Sequence, residues 1–230
     1  MSKKLSREDL EQDLLIEYSS RIVYFYNQNK AVVLGGGTAV VLTIALVIGF
    51  IFYSAQQERE AQVLLGTAEQ YMMIGDFDRA LYGDEDSFSL GFVQIARNYS
   101  RTSSGNLARY YASVAEFELG NYETSLEFIQ QFTPPPGILG VAPLMMHAII
   151  LTELDRFEEA ATAFERAAEW DINNSTTPKG LFEAALAHRK TGNSHQAMNL
   201  LNRILTEFPN SQQAVNAERL RGQLAAAGRP

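Results

Sequence analysis

The sequence predicts an all-α fold, with one N-terminal transmembrane helix followed by an α-solenoid of repeated helical hairpins and a C-terminal capping helix. Three observations predict it. The 27 residues from Ala31 to Gln57 carry no charge, and the first 23 of them, Ala31 to Tyr53, are apolar enough to cross a bilayer, which takes about 20 apolar residues in helical form. Beyond that run, helix-like stretches end four times in a similar turn. The composition after residue 60 is also rich in Ala and poor in Val, which favours helix over strand.

Residues 1–30 form the first segment, a cytoplasmic tail. Ser6 followed by Asp9 resembles a capping box with a shorter acid, and Leu10, Leu14, Tyr18, Ile22 and Phe25 recur behind it at three- or four-residue intervals. That period predicts an amphipathic helix of about five turns. Such a helix either lies on the membrane surface and leads into the span or docks against a membrane-embedded partner.

Residues 31–53 are the span. In lipid a helix is the only open-ended way to satisfy the backbone of so apolar a run. Gly35, Gly36 and Gly37 open it, yet no strand precedes them and no Lys-Ser/Thr follows, so they serve helix entry or close packing rather than phosphate binding. Tyr24, Phe25, Tyr26 and Tyr53 bracket the run, where amphipathic rings sit at headgroup level. Orientation follows from basic residues, which resist translocation. Lys3, Lys4, Arg7, Arg21 and Lys30 precede the span, whereas Arg59 alone follows closely. The N-terminus is therefore expected inside and residues 54–230 outside the cytoplasm. A cleaved signal peptide fits poorly, because no small-x-small pattern surrounds Phe52, Tyr53 and Ser54.

Charge and composition restrict the outer domain. The net charge of −8 falls entirely after residue 30, where 14 basic residues face 22 acidic ones. This argues against nucleic acid, which needs a basic stripe. With no Cys, the chain has no disulfide, thiolate nucleophile or thiolate metal site.

The turns carry the repeat. They are Gly75-Asp76-Phe77, Gly120-Asn121-Tyr122, Asp155-Arg156-Phe157 and Gly192-Asn193-Ser194, spaced by 45, 35 and 37 residues. Gly or Asp permits a left-handed helix end, the aromatic two residues on packs beneath the turn, and the small residue three further on (Ala80, Ser125, Ala160, Ala197) lets two helices approach. Phe164, Ala167, Leu201 and Pro209 fall at matching large, small and terminating places. As a set, these residues resemble tetratricopeptide repeats, whose unit is about 34 residues, over residues 58–212.

The first unit carries about eleven extra residues around Gly83-Asp84-Glu85-Asp86, so its second helix is expected to restart near Gly91 and run toward Tyr99. Pro134-Pro135-Pro136-Gly137 predicts a rigid loop. Ser194 replaces the aromatic of the other turns. Ser211 opens a last helix with Ala214, Ala217, Leu220 and Leu224 on one face, suited to cap the array.

An N-terminal span ahead of such repeats resembles a family of bacterial bitopic, envelope-facing tetratricopeptide proteins best known for the ancillary subunit of the Sec translocon. The likeness rests on that topology, on Gly91-Phe92-Val93-Gln94-Ile95-Ala96 followed by Tyr99, and on Thr102 through Gly105-Asn106-Leu107-Ala108 to Tyr110-Tyr111-Ala112. It implies attachment to translocon subunits in the inner membrane and contact with periplasmic chaperones or exported chains. Other members of the family coordinate envelope or cell-division assembly, and this is the alternative.

In such an array the first helix of each hairpin lines a concave groove. The positions ten and six residues before each turn are Leu65, Tyr110, Met145 and Phe182, then Glu69, Val114, Ile149 and Leu186. With Phe117 beside them and Arg189 and Lys190 at one end, they form a groove for an amphipathic helix or extended chain. Tighter curvature would instead make them inter-helix core.

Nothing converges for catalysis, and no cofactor or metal is expected. His147, His188 and His195 are the only histidines, and no nucleophile elbow, metal-ligand helix or phosphate loop accompanies them.

Overall fold

The computed structural model describes the backbone of residues 7–227 and the side chains of residues 17–226. Among the described residues the chain is all-helical. Its α-helices are α1 (Arg7–Gln28), α2 (Lys30–Met73), α3 (Phe77–Tyr82), α4 (Phe92–Asn98), α5 (Ser103–Glu118), α6 (Tyr122–Gln131), α7 (Val141–Glu153), α8 (Phe157–Trp170), α9 (Thr177–Lys190), α10 (Ser194–Glu207) and α11 (Gln212–Ala227), with a 3-10 turn at Ile138–Gly140. The chain divides into two units, the first ending at Gln56 and the second beginning at Gln57.

In the first unit, the expected cap Ser6 lies outside the described residues, as do the side chains of Asp9, Leu10 and Leu14. Tyr18, Ile22 and Phe25 are exposed on α1. The helix α2 is long and apolar enough to cross a membrane, and none of its most apolar stretch is buried. It does not stop where its hydrophobicity does. Its 44 residues include no Pro, and those from Gln57 on belong to the second unit.

The second unit opens with that end of α2. Leu65 and Ala68 on it pack with Leu81 of α3, Phe92 and Ile95 of α4, and Ala108, Ala112 and Ala115 of α5. Phe92 is fully buried, which contributes about 2 kcal/mol. The extra residues of the first unit form a loop closed by one antiparallel bridge between Asp84 and Ser89, and the Tyr71 hydroxyl donates to Asp84 Oδ2 at 3.1 Å. The carboxylate of buried Glu116 accepts from the Tyr82 hydroxyl at 3.2 Å and from Asn121 Nδ2 at 2.8 Å.

Hairpins α5–α6, α7–α8 and α9–α10 follow, each helix packing on the next, and α11 packs on α10 and α9. The turns repeat in atomic detail. Gly75, Gly120 and Gly192 take φ of 77°, 79° and 79°, and Asp155 takes 56°. At each, the following amide donates five residues back, Asp76 to Tyr71, Asn121 to Glu116, Arg156 to Leu151 and Asn193 to His188, at 2.8–2.9 Å. This is the Schellman arrangement, which satisfies carbonyls that a helix end leaves bare. Close packing within and between the hairpins relies on small residues. Ala160, Ala161, Ala167 and Ala168 are buried along α8, between α7 and α9, and a Cβ on Gly180 of α9 would press on Ala168 at 2.9 Å.

Residues 132–137 form no helix, as the proline run leads one to expect, and so make a loop. The Trp170 indole N–H donates to the Pro135 carbonyl at 3.1 Å, tying this loop to the end of α8. Ala214, Ala217 and Leu220 are buried on α11 and Leu224 is half-buried, as the period of that helix anticipates.

Candidate functional site

Helices α5, α7 and α9, the first helices of three successive hairpins, line one cleft of about 440 Å³. Tyr110 comes from α5, Val141, Ala142, Met145, Met146 and Ile149 from α7, Thr176 and Lys179 from the start of α9, and Ile138 from the 3-10 turn. The lining is mostly apolar, with the Lys179 ammonium and the Thr176 hydroxyl at one side. Such a trough can take the apolar face of a helix or alternate side chains of an extended chain. Tyr110 is held by aromatic contacts, with ring centroids 5.6 Å from Phe132 and 5.7 Å from Tyr111. Burial pushes its hydroxyl above the usual phenol range.

Of the groove residues expected from sequence, Tyr110, Met145 and Ile149 come together here. Leu65 does not, being 4% exposed within the core of α2 to α5. Met145 is 9% exposed and forms floor rather than rim. Val114 is half-buried, and Phe117 packs on Tyr122 at 5.2 Å between centroids. Phe182 and Leu186 pack against the core of α9, α10 and α11. Leu186, Arg189 and Lys190 line a separate cleft of about 210 Å³ with Phe157 and Phe164, and the Lys190 ammonium stands over the Phe157 ring at 5.6 Å. The expected single strip is therefore divided, with Tyr110, Met145 and Ile149 in one cleft, Leu186, Arg189 and Lys190 in another, and Val114, Phe117 and Phe182 in neither.

The sequence reading missed Met146, Ile138, Ala142 and Lys179. Ala142 was within reach, since it lies three residues before Met145 on the same helical face. Ile138 and Lys179 were not, because the loop from Phe132 to Gly137 and the start of α9 place them.

The array of hairpins and its apolar cleft define the class, a protein all-helical among the described residues with a cleft running across successive hairpins. The family model described as the N-terminal domain of the type VII, ESX-1 secretion system protein EccA1 matches residues 94–223. That span is more than half of the chain, so the chain belongs to this family. It takes in α5 to α10 whole, and with them the cleft. No curated protein matches the chain.

Proposed function

We propose that the protein is a membrane-anchored interaction module of protein secretion, which holds a tetratricopeptide-type solenoid in the periplasm and acts by binding rather than by catalysis. The α2 run from Ala31 to Tyr53 anchors it in the inner membrane with the N-terminus in the cytoplasm. The partner is a translocon subunit, a periplasmic chaperone or an exported chain, and its apolar segment occupies the cleft of α5, α7 and α9. The observation that carries the reading is that cleft, an apolar trough built from the same helix of three successive hairpins. Membership in a family named for a secretion-system domain supports the secretion setting. The four matching turns support the repeat type, and the topology and the residues from Gly91 to Ala112 support placement at the Sec translocon.

A photoreactive residue at exposed Lys179, in the full chain in intact membranes, tests this. Capture of translocon subunits, chaperones or exported chains from position 179, and not from a control at exposed Val215 on α11, is the expected result. Capture of envelope-synthesis or division proteins instead would make the protein an assembly scaffold, and equal capture from both positions would remove the cleft from the account.

A further inference from the structure

A second side of the helix α7 also lines a cleft. At about 100° per residue, Leu144, His147 and Leu151 lie on the side away from Met145 and Ile149. They form one wall of a different cleft, of about 430 Å³, completed by Gln130 of α6 and by Glu158, Glu159, Thr162, Ala163 and Arg166 of α8. A recess of about 260 Å³ adjoins it, sharing Gln130, Leu144, His147 and Arg166 and ending at Phe132 and Pro134.

The chemistry of this trough is unbalanced. Of the two acids that line it, Glu159 is already held by Arg156 through two hydrogen bonds of 2.7 Å and 2.6 Å, and Glu158 stands at the far end of the cleft from Arg166 along α8. Arg79, Arg156, Arg203 and Arg221 all pair with carboxylates. Arg166 has no ion-pair partner among the described residues, and its guanidinium lies 5.9 Å from the Trp170 ring. His147, on the facing wall, has no hydrogen bond among the described residues. An acidic chain thus leaves a guanidinium fork, an imidazole and the Gln130 amide open on one cleft, amid Leu144, Leu151 and Ala163.

The geometry points to a carboxylate site, in which Arg166 and His147 grip an acidic side chain of an extended, otherwise apolar peptide segment. Guanidinium groups bind carboxylates through two parallel hydrogen bonds, and the apolar walls on either side suit the flanking residues. A peptide is favoured over a small free acid by the length of the trough. From Glu158 to Arg166 along α8 is about 12 Å, the span of about four extended residues, and the recess continues beyond. Glu158 at the far end adds a complement for a basic residue at that distance. This site is independent of what fills the apolar cleft, since the two share no residue.

The protein's single Trp, Trp170, reports on Arg166 directly. Full-length protein in detergent is titrated with acetyl-Leu-Glu-Leu-Leu-amide, with its Gln counterpart and with succinate, by Trp fluorescence and calorimetry. A saturable response to the Glu peptide, at least about tenfold weaker for the Gln peptide and for Arg166→Gln protein, is expected. Arg166 is exposed, so helical circular dichroism should not change in that variant. If it did, exposed Gln130→Ala becomes the deciding variant, with weaker binding expected. Equal binding of both peptides, full binding by the deciding variant, or no binding at all overturns the site. Succinate binding as tightly as the peptide would assign the cleft to free small acids and overturn the peptide reading.

Discussion

At positions 75, 120, 155 and 192 one residue decides whether a helix can end and the chain reverse. Gly supplies the left-handed conformation at three of them, and Asp155 supplies it at the fourth with φ of 56°, at a cost of about 1 kcal/mol or more for a residue with a Cβ. His147 carries a different residue-scale consequence. Burial pushes its imidazole below the usual value, the guanidinium groups of Arg166 and Arg156 add to this, and Glu159 opposes it. The folded value is thus below the unfolded one, so the stability tied to neutral His147 is full above about pH 6.5 and is lost as pH falls through the folded value. Glu183 acts in the opposite sense, since burial raises its carboxyl and Lys179 only partly offsets that. The comparison must therefore be between wild type and His147→Gln. From about pH 7 to about pH 5, wild type should lose more melting temperature than the variant, and parallel curves would contradict the assignment. The turn glycines were legible in the sequence because a helix end is a local event. The burial of Leu65 and Met145 was not, since it depends on α3, α4 and α8, which arrive from elsewhere in the chain.

At the scale of elements, α2 and α5 are joined by a carboxylate. Glu58, in the second unit, accepts from the Ser103 amide at 2.6 Å, and from the Ser104 amide at 3.0 Å and its hydroxyl at 2.7 Å. Burial raises its pKa, and the hydrogen bonds from Ser104 and Ser103 more than reverse this. The acid satisfies bare amides in the first turn of α5, with the Thr102 hydroxyl accepting from Gly105 N–H at 2.9 Å as the local cap. Gly105 leaves no room for alternatives, because a Cβ there would run into the Tyr99 carbonyl. Removing a helix-capping acceptor costs about 1 kcal/mol, so Glu58→Ala should melt about 2–4 °C lower and Glu58→Gln less so. A Glu58→Ala melting curve identical to wild type would show that the contact does not hold α2 to α5. The helices themselves were readable from apolar period and turn spacing, including the restart of α4 after the long loop. This contact was not, because 45 residues separate its partners.

For the whole molecule, the sequence displayed the class of fold more fully than the site. Hairpin order and the final helix follow from a pattern that each segment carries in itself. The cleft depends on how successive hairpins are offset, which no single repeat encodes, and so Tyr110, Met145 and Ile149 were found together while Phe182 and Leu186 went to a neighbouring core. The function proposed for the cleft requires the second unit to lie outside the cytoplasm, and the basis for this is the placement of Lys3, Lys4, Arg7, Arg21 and Lys30 before the span with Arg59 close after it. Protease added to spheroplasts of a bacterium expressing the full chain tests that requirement most directly. The account predicts that residues 57–230 are digested while the inner membrane is intact, leaving a short membrane-protected N-terminal fragment. Protection of those residues until the membrane is broken would place the cleft in the cytoplasm and contradict a role with exported chains or periplasmic chaperones.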